Sequence, residues 1–448
     1  MMRWVDDSNA AQLIDLYQLR MAQAYFEERL DARATFDLFV RRLPPARNFL
    51  LACGLDDALK FLERLSFDRG ALDYLTKLGQ FSADFLERLG RTRFTGDVYA
   101  VPEGTPVFAG EPILEVVAPL PEAQLVETFV MNQIHLQTVL ASKAARIVEA
   151  AAGRPVVDFT LRRTHGVDAG LKSARALYIA GVASTSNVLA GRIYGLPVAG
   201  TMAHSYVQAH EDEDAAFRAF LRLYPEGVVL VDTYDTLTGV SRLVALARAL
   251  GERFRVSAIR LDSGDLEDLS RAARRLLDEA GLRKVQIFAS GGLDEHSIDA
   301  LVRSGAPIDG FGVGTLLGVS ADAPALDMVY KLVEYAGLAR TKLSTDKHLL
   351  GGRKQVFRCS AGDVIARAEE RHEGRRLLIP VMRDGRRLVD ESLETIRERA
   401  RREIGLLPNR CRSLEPMSPP YLVEVSAALN EEQRRLEELL AQRALSAR

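Results

Sequence analysis

The chain has 448 residues, more than one ordinary domain needs and enough for a large α/β unit with a smaller companion. Its 47% hydrophobic and 27% charged residues are an ordinary soluble composition, and 61 acidic against 59 basic side chains leave no overall field for nucleic acid or anionic lipid. Cys53, Cys359 and Cys411 are scattered and odd in number, which fits reduced thiols, and neither a signal-type h-region nor an apolar run of roughly 20 residues occurs, so the expectation is a cytoplasmic protein with no membrane or nucleic-acid partner.

In chain order, residues 9–28 read as a helix, with Leu13, Leu16, Tyr17, Met21, Ala24 and Tyr25 on one stripe. Tyr17 by itself reads as a core aromatic. Residues 36–42 (FDLFVRR) alternate like a half-buried strand that stops at Pro44, and helices are expected over 54–65 and 73–89. From 96 to 119, Pro and Gly punctuate short β-branched runs, the pattern of a small all-β subdomain. A long helical segment follows over 121–152.

From 154 to 318 short apolar runs alternate with amphipathic segments: PVVDF (155–159), LPVAG (196–200), VVLVD (228–232), SAIRLD (257–262), VQIFAS (285–290) and IDGFGVG (308–314). That rhythm is the product of repeated βαβ units. The expected fold class is α/β, an irregular TIM-like barrel; an open doubly wound sheet is the alternative, weakened because no GxGxxG follows the first strand.

The strand exits hold the chemistry. They carry Arg162 and Arg163, Thr201 and His204, Thr233 and Asp235, Arg260 with Asp262, Ser263 and Gly264, then Ser290, Gly291 and Gly292, and last Gly312, Gly314 and Thr315. Arginines, hydroxyls and glycines gathered at one rim describe an anion site, since guanidinium forks grip carboxylate or phosphate and glycines let backbone N–H groups approach it. The two-residue strand period puts Arg260 and Asp262 on one face, as ligand groups or as a structural ion pair. Arg162 and Arg163 are adjacent and point apart if they lie on the strand. HEDED at 210–214 reads as a solvated first helical turn rather than a metal site. His204 alone reads as a buried, satisfied histidine; its neighbours favour a functional one.

DLYQLRMAQAYF (15–26), FDLFVRRLPPAR (36–47), PEGTPVFAGEPI (102–113), GTMAHS (200–205), VDTYDT (231–236), IRLDSGDL (259–266), SGGLDE (290–295), FGVGT (311–315) and GRKQVFR (352–358) together resemble the nicotinate phosphoribosyltransferase family. The resemblance runs from about residue 13 to 425. It implies a type II phosphoribosyltransferase fold, an irregular α/β barrel beside an additional α+β domain formed by the N-terminal region and later segments. The matching divisions are 1–152, 153–340 for the catalytic barrel, and 341–448 as an extension packing on both. It also implies a homodimer with active sites at the subunit interface, and a reaction joining nicotinate to 5-phosphoribosyl 1-diphosphate (PRPP) with coupled ATP hydrolysis.

On the matching motifs, the resemblance makes His204 the transiently phosphorylated histidine and sets Thr201 and Tyr17 against nicotinate. Arg260 pairs with the ligand carboxylate, and Asp262, Ser263, Gly291, Gly292, Gly314 and Thr315 line the sugar and phosphate site. Mg²⁺ accompanies PRPP or ATP. Ser186, where nicotinamide-specific relatives carry aspartate, favours the acid. Thr160 departs from the family's usual glycine and is expected to crowd the ring pocket, HGV replaces the usual QGP after Arg163, and LSTDKHLLGG (343–352) is short and lacks a proline. A nicotinamide or other pyridine-base enzyme, or a catalytically inactive binding homologue, remains the alternative.

Overall fold

The computed structural model describes residues 5–343 and 349–446, so part of the short 343–352 stretch lies outside the described residues. Two compact units emerge: Met1–Val139 with Ala325–Arg448, and Leu140–Pro324. The boundary falls inside one continuous helix, Glu127–Ala150, so no change in local pattern marks it.

The first unit is built on a seven-stranded antiparallel sheet whose central strands are Met328–Tyr335, Arg33–Val40, Pro112–Pro119 and Asp97–Ala100. Arg33–Val40 is buried at every position from Ala34 onward, not half-buried as its alternation predicts. The misleading residue is Asp37, which is buried and paired with Lys354 Nζ at 2.9 Å. Likewise Asp97–Ala100 and Pro112–Pro119 pair with each other but form no separate subdomain, because their outer partners, Ile379–Arg383 and Arg33–Val40, join them to the large sheet. The helix expected over 73–89 is two helices, Arg69–Leu78 and Ala83–Arg91. Gly79 at φ 64° ends the first, and the Ser82 hydroxyl caps the second by accepting from Phe85 N–H. The N-terminal helix begins only at Leu16, where Gln18 Oε1 accepts the Asp15 N–H at 3.2 Å.

The second unit is a six-stranded parallel sheet in the order Ser184–Thr185, Val156–Asp158, Gly310–Val313, Gln286–Ala289, Ala258–Leu261, Val228–Leu230. Parallel neighbours require crossovers, and helices such as Val167–Ile179, Thr236–Leu250 and Leu266–Glu279 supply them. The two edge strands are consecutive in the chain, so the sheet is a half-barrel whose ring is not closed by a strand ladder among the described residues. In that gap lies 196–200, expected as a buried strand. It makes a single bridge, Val198 to Thr185, and Val198 is exposed, so the sixth strand is the polar Ser184–Thr185 instead. Ile259, Leu261, Ile287, Ala289, Phe311 and Val313 fill the core. The entering helix is held by a buried ion network, with Lys143 on Glu295 and Asp322 and Arg146 on Glu295.

Candidate active site

The C-terminal ends of the parallel strands surround a cavity of about 480 Å³. Open α/β sheets place ligands at that edge because the loops there converge. Thr201, Arg260, Asp262, Gly291, Gly292, Gly314, Thr315, Ser186, Arg162 and Arg163 all line it. Both arginines reach the wall because they stand in a loop. The strand has already ended at Asp158, so the alternation that would have turned one of them away does not apply.

Arg260 organises the site. It leaves the strand Ala258–Leu261 and spends its donors in three directions: Nε to Ser290 Oγ at 2.9 Å, Nη1 to Thr201 Oγ1 at 2.7 Å, and Nη2 to Asp262 Oδ1 at 2.8 Å. The Ser290 hydroxyl also donates to Asp262 Oδ1. Burial alone would raise the Asp262 carboxyl, but Ser290, Arg260 and His204 outweigh it and hold the group below its ordinary value. Asp262 is therefore an anion across the neutral range, and Arg260 is both a cavity wall and half of an ion pair.

His204 begins a short helix, His204–Gln208, beside the cavity rather than in its wall. Its Nδ1 lies 3.2 Å from Thr233 Oγ1, and Nε2 lies 3.6 Å from Asp262 Oδ2. One ring nitrogen has a hydrogen-bond partner that can hold the tautomer, and the other is outside hydrogen-bond distance of the Asp262 carboxylate, so an imidazole lone pair can be presented to an electrophile.

Gly291 and Gly292 have φ of +96° and +65°, and a Cβ on Gly291 would sit 1.9 Å from the Asp262 carbonyl oxygen. Only glycine fits there. In such a turn, with no side chains at 291 and 292 in the way, backbone N–H groups are open to an anion. Ser263 departs from its expected place: it does not line the cavity, and its hydroxyl donates to Asp232 Oδ2 at 2.8 Å. Tyr17 lies in the other unit, half exposed rather than in the core, with its hydroxyl donating to Glu127 at 3.2 Å. Burial, then the Glu127 charge, push the phenol up to about 12.

Thr160 does not crowd the cavity. Its side chain is buried against Gly318, whose missing Cβ would otherwise lie 2.8 Å from Thr160 Cβ. In HEDED, Asp212 caps the helix Glu213–Leu223, Glu213 is buried, and no metal-type cluster occurs there among the described residues.

Sequence reasoning missed Asp232 and Phe159 as site residues. Asp232 Oδ2 accepts the Asp262 N–H and the Ser263 hydroxyl, both at 2.8 Å, while its buried Oδ1 has no hydrogen-bond partner. The signal was the carboxylate closing VVLVD at a strand exit. Phe159 presents a ring to the cavity, with Arg260 5.7 Å from its centroid, and Gly312 leaves the room it occupies, since a Cβ there would be 2.4 Å from the ring. An apolar residue closing the run PVVDF gave no such cue.

Residues 13–135 match the family described as the nicotinate phosphoribosyltransferase N-terminal domain, and residues 140–331 match the quinolinate phosphoribosyl transferase C-terminal domain. A nicotinate phosphoribosyltransferase of Mycobacterium tuberculosis is 55% identical over 433 residues, covering 95% of this chain and 94% of the relative. One from Bacillus subtilis is 41% identical over 379 residues, 81% of this chain and 77% of the relative. Among solved structures, human nicotinic acid phosphoribosyltransferase superposes with a TM-score of 0.83 at 28% identity, over 94% of this chain and 99% of that one.

Proposed function

The chain belongs to the nicotinate phosphoribosyltransferase family, and from that membership we propose how its cavity carries out the family's reaction. The enzyme joins nicotinate to PRPP, giving nicotinate mononucleotide and pyrophosphate. Arg260 meets the nicotinate carboxylate, with Thr201 and Ser186 beside it and the Phe159 ring as a flat wall for the pyridine. Arg162, Arg163 and the N–H groups around Gly291, Gly292 and Gly314 take the phosphates.

Departure of pyrophosphate leaves positive charge on the ribose and negative charge on the leaving group. Fixed charges can stabilise both without a protein nucleophile, Asp262 on the sugar side and the arginines and backbone donors on the phosphate side. Magnesium travelling with PRPP or ATP would neutralise phosphate charge, and Asp262 with the unpartnered Oδ1 of Asp232 are the carboxylates that fit it.

His204 couples the reaction to ATP. Thr233 holds Nδ1, so Nε2 forms the bond to the γ-phosphorus as the bond to the β,γ-bridging oxygen breaks and ADP departs. Water later cleaves the phosphohistidine, releasing phosphate. The observation that carries this reading is the convergence of His204, Asp262, Arg260 and Thr201 at one strand rim.

The same reading makes the protein a cytoplasmic homodimer. Val188, Leu189 and Ile193 on the helix Val188–Tyr194 are exposed, and Val198 packs beside them at Gly191, an apolar surface that a second copy would cover. None of its three cysteines forms a disulfide, which fits a reducing compartment. A solution mass of twice 49.5 kDa supports the dimer, and one subunit's mass rejects it.

The deciding assay offers nicotinate, nicotinamide and quinolinate separately with PRPP, with and without ATP, and identifies the mononucleotide formed. Nicotinate mononucleotide, raised in yield by ATP, is expected. Product from nicotinamide or quinolinate alone, or none at all, overturns the reading.

A further inference from the structure

The unit Leu140–Pro324 has a second cavity, of about 340 Å³, at the other edge of its sheet. Pro225 and Val256 line it, and they stand just before the strands Val228–Leu230 and Ala258–Leu261, so it opens at the strands' N-terminal ends. Leu221, Leu246 and Leu250 add to its apolar floor, and half-buried Phe254 provides a flat face. Around this floor stand Arg218, Arg222, Arg253 and Arg255.

None of these four guanidinium groups has a hydrogen bond or a carboxylate within 4.0 Å among the described residues. Elsewhere in the unit Arg271, Arg274 and Arg303 each pair with a carboxylate four residues away on their own helix. Arg218 has the same option in Asp214 and leaves it unused, with Asp214 Oδ1 buried and without a hydrogen-bond partner. Glu226, in the loop before Val228, and Glu252, in the short 3-10 helix Gly251–Arg253, pair with none of the four. The helix dipole accounts for Arg222, in the last turn of Glu213–Leu223, but not for Arg218 in mid-helix or Arg255 outside any helix. All four side chains are exposed, so water screens their mutual repulsion, and an anion seated on the apolar floor would meet four donors converging from one rim.

We propose that this basin is a second ligand site, for a nucleoside 5′-monophosphate: guanidinium forks take the phosphate, and the apolar floor with Phe254 takes the base. The volume suits a small molecule. Guanidinium is the cation matched to phosphate, and its planar face also stacks on a base.

The test titrates adenosine 5′-monophosphate into three proteins: unsubstituted, Arg218→Ala/Arg253→Ala, and Arg162→Ala/Arg163→Ala in the catalytic cavity. The expected result is saturable binding that weakens at least roughly tenfold in the first double variant, about 1.4 kcal/mol, and less than about twofold in the second. Nicotinate turnover without the nucleotide, and thermal melting, should stay unchanged in Arg218→Ala/Arg253→Ala, which shows that the fold is intact. Absence of saturable binding overturns the proposal. So does loss confined to the Arg162/Arg163 variant, which would place the nucleotide in the catalytic cavity. Inorganic phosphate binding as tightly as the nucleotide overturns the ligand class, since the apolar floor would then contribute nothing.

Discussion

Arg260 and Asp262 face the same cavity from one strand end and are joined by a 2.8 Å charged hydrogen bond, with the Ser290 hydroxyl touching both. The ion-pair and ligand-site readings of these two residues are therefore not exclusive. The pair holds the guanidinium plane, whose Nη1 reaches Thr201, so a ligand carboxylate arriving there would meet a cation already fixed in place. Substituting either residue disturbs the other.

Arg260→Ala is expected to weaken nicotinate use by about 2–5 kcal/mol, because it removes the ligand carboxylate's partner and leaves the half-buried Asp262 carboxylate without its own. Steady-state kinetics with varied nicotinate measures it as a fall in kcat/KM. Arg260→Lys should recover only part, since an ammonium cannot reach Ser290, Thr201 and Asp262 together. Unchanged saturation by nicotinate in Arg260→Ala would remove the carboxylate contact.

His204→Ala should abolish acid-labile labelling of the protein by γ-labelled ATP while the circular dichroism spectrum and melting stay as they were. The side chain is part-exposed, with Thr233 and Asp262 as its polar partners among the described residues, so little burial is lost. Persistence of the label would move the phosphorylated group elsewhere.

Ser186→Asp tests base choice. A carboxylate in the cavity wall would accept the amide N–H groups of nicotinamide and repel nicotinate, so the nicotinate-to-nicotinamide ratio of kcat/KM should fall by roughly 100-fold or more. A competition assay with both bases and PRPP reads this directly. An unaltered ratio would mean that Ser186 does not face the ring.

Asp262 makes a pH-dependent contribution whose sign follows from its depressed pKa. The ionised carboxylate stabilises the folded state at every pH above its ordinary value of 3.8, and that contribution is lost as pH falls through the lower folded value. The Tm gap between the protein and Asp262→Asn should be constant above about pH 5 and narrow below about pH 4. A gap that widens toward acid would contradict the assignment.

How much of this was legible in the sequence depended on the distance over which the deciding interaction acts. Five of the six expected parallel strands formed, because buried parallel strands are short apolar runs that declare themselves locally. The LPVAG run failed, since nothing local distinguishes an apolar run that pairs from one left exposed at a sheet's open edge. Ser184–Thr185 was invisible for the converse reason: two polar residues become a strand only because Val157 and Asp158 offer a ladder.

The site followed the same division. Arg260 and Asp262 could be placed on one face from strand period alone, and glycine at 291 is demanded by its own φ. No local rule could put Asp232 beneath Asp262 and Ser263, or move Ser263 out of the cavity wall, because those contacts join neighbouring strands about 30 residues apart in the chain. Residue types and their order therefore settled the chemistry this chain carries: an imidazole, cations and glycine-rich turns at strand exits. Only folding decided which of those groups meet, since hydrogen bonds and charges act over a few ångströms in space, whatever the separation along the chain.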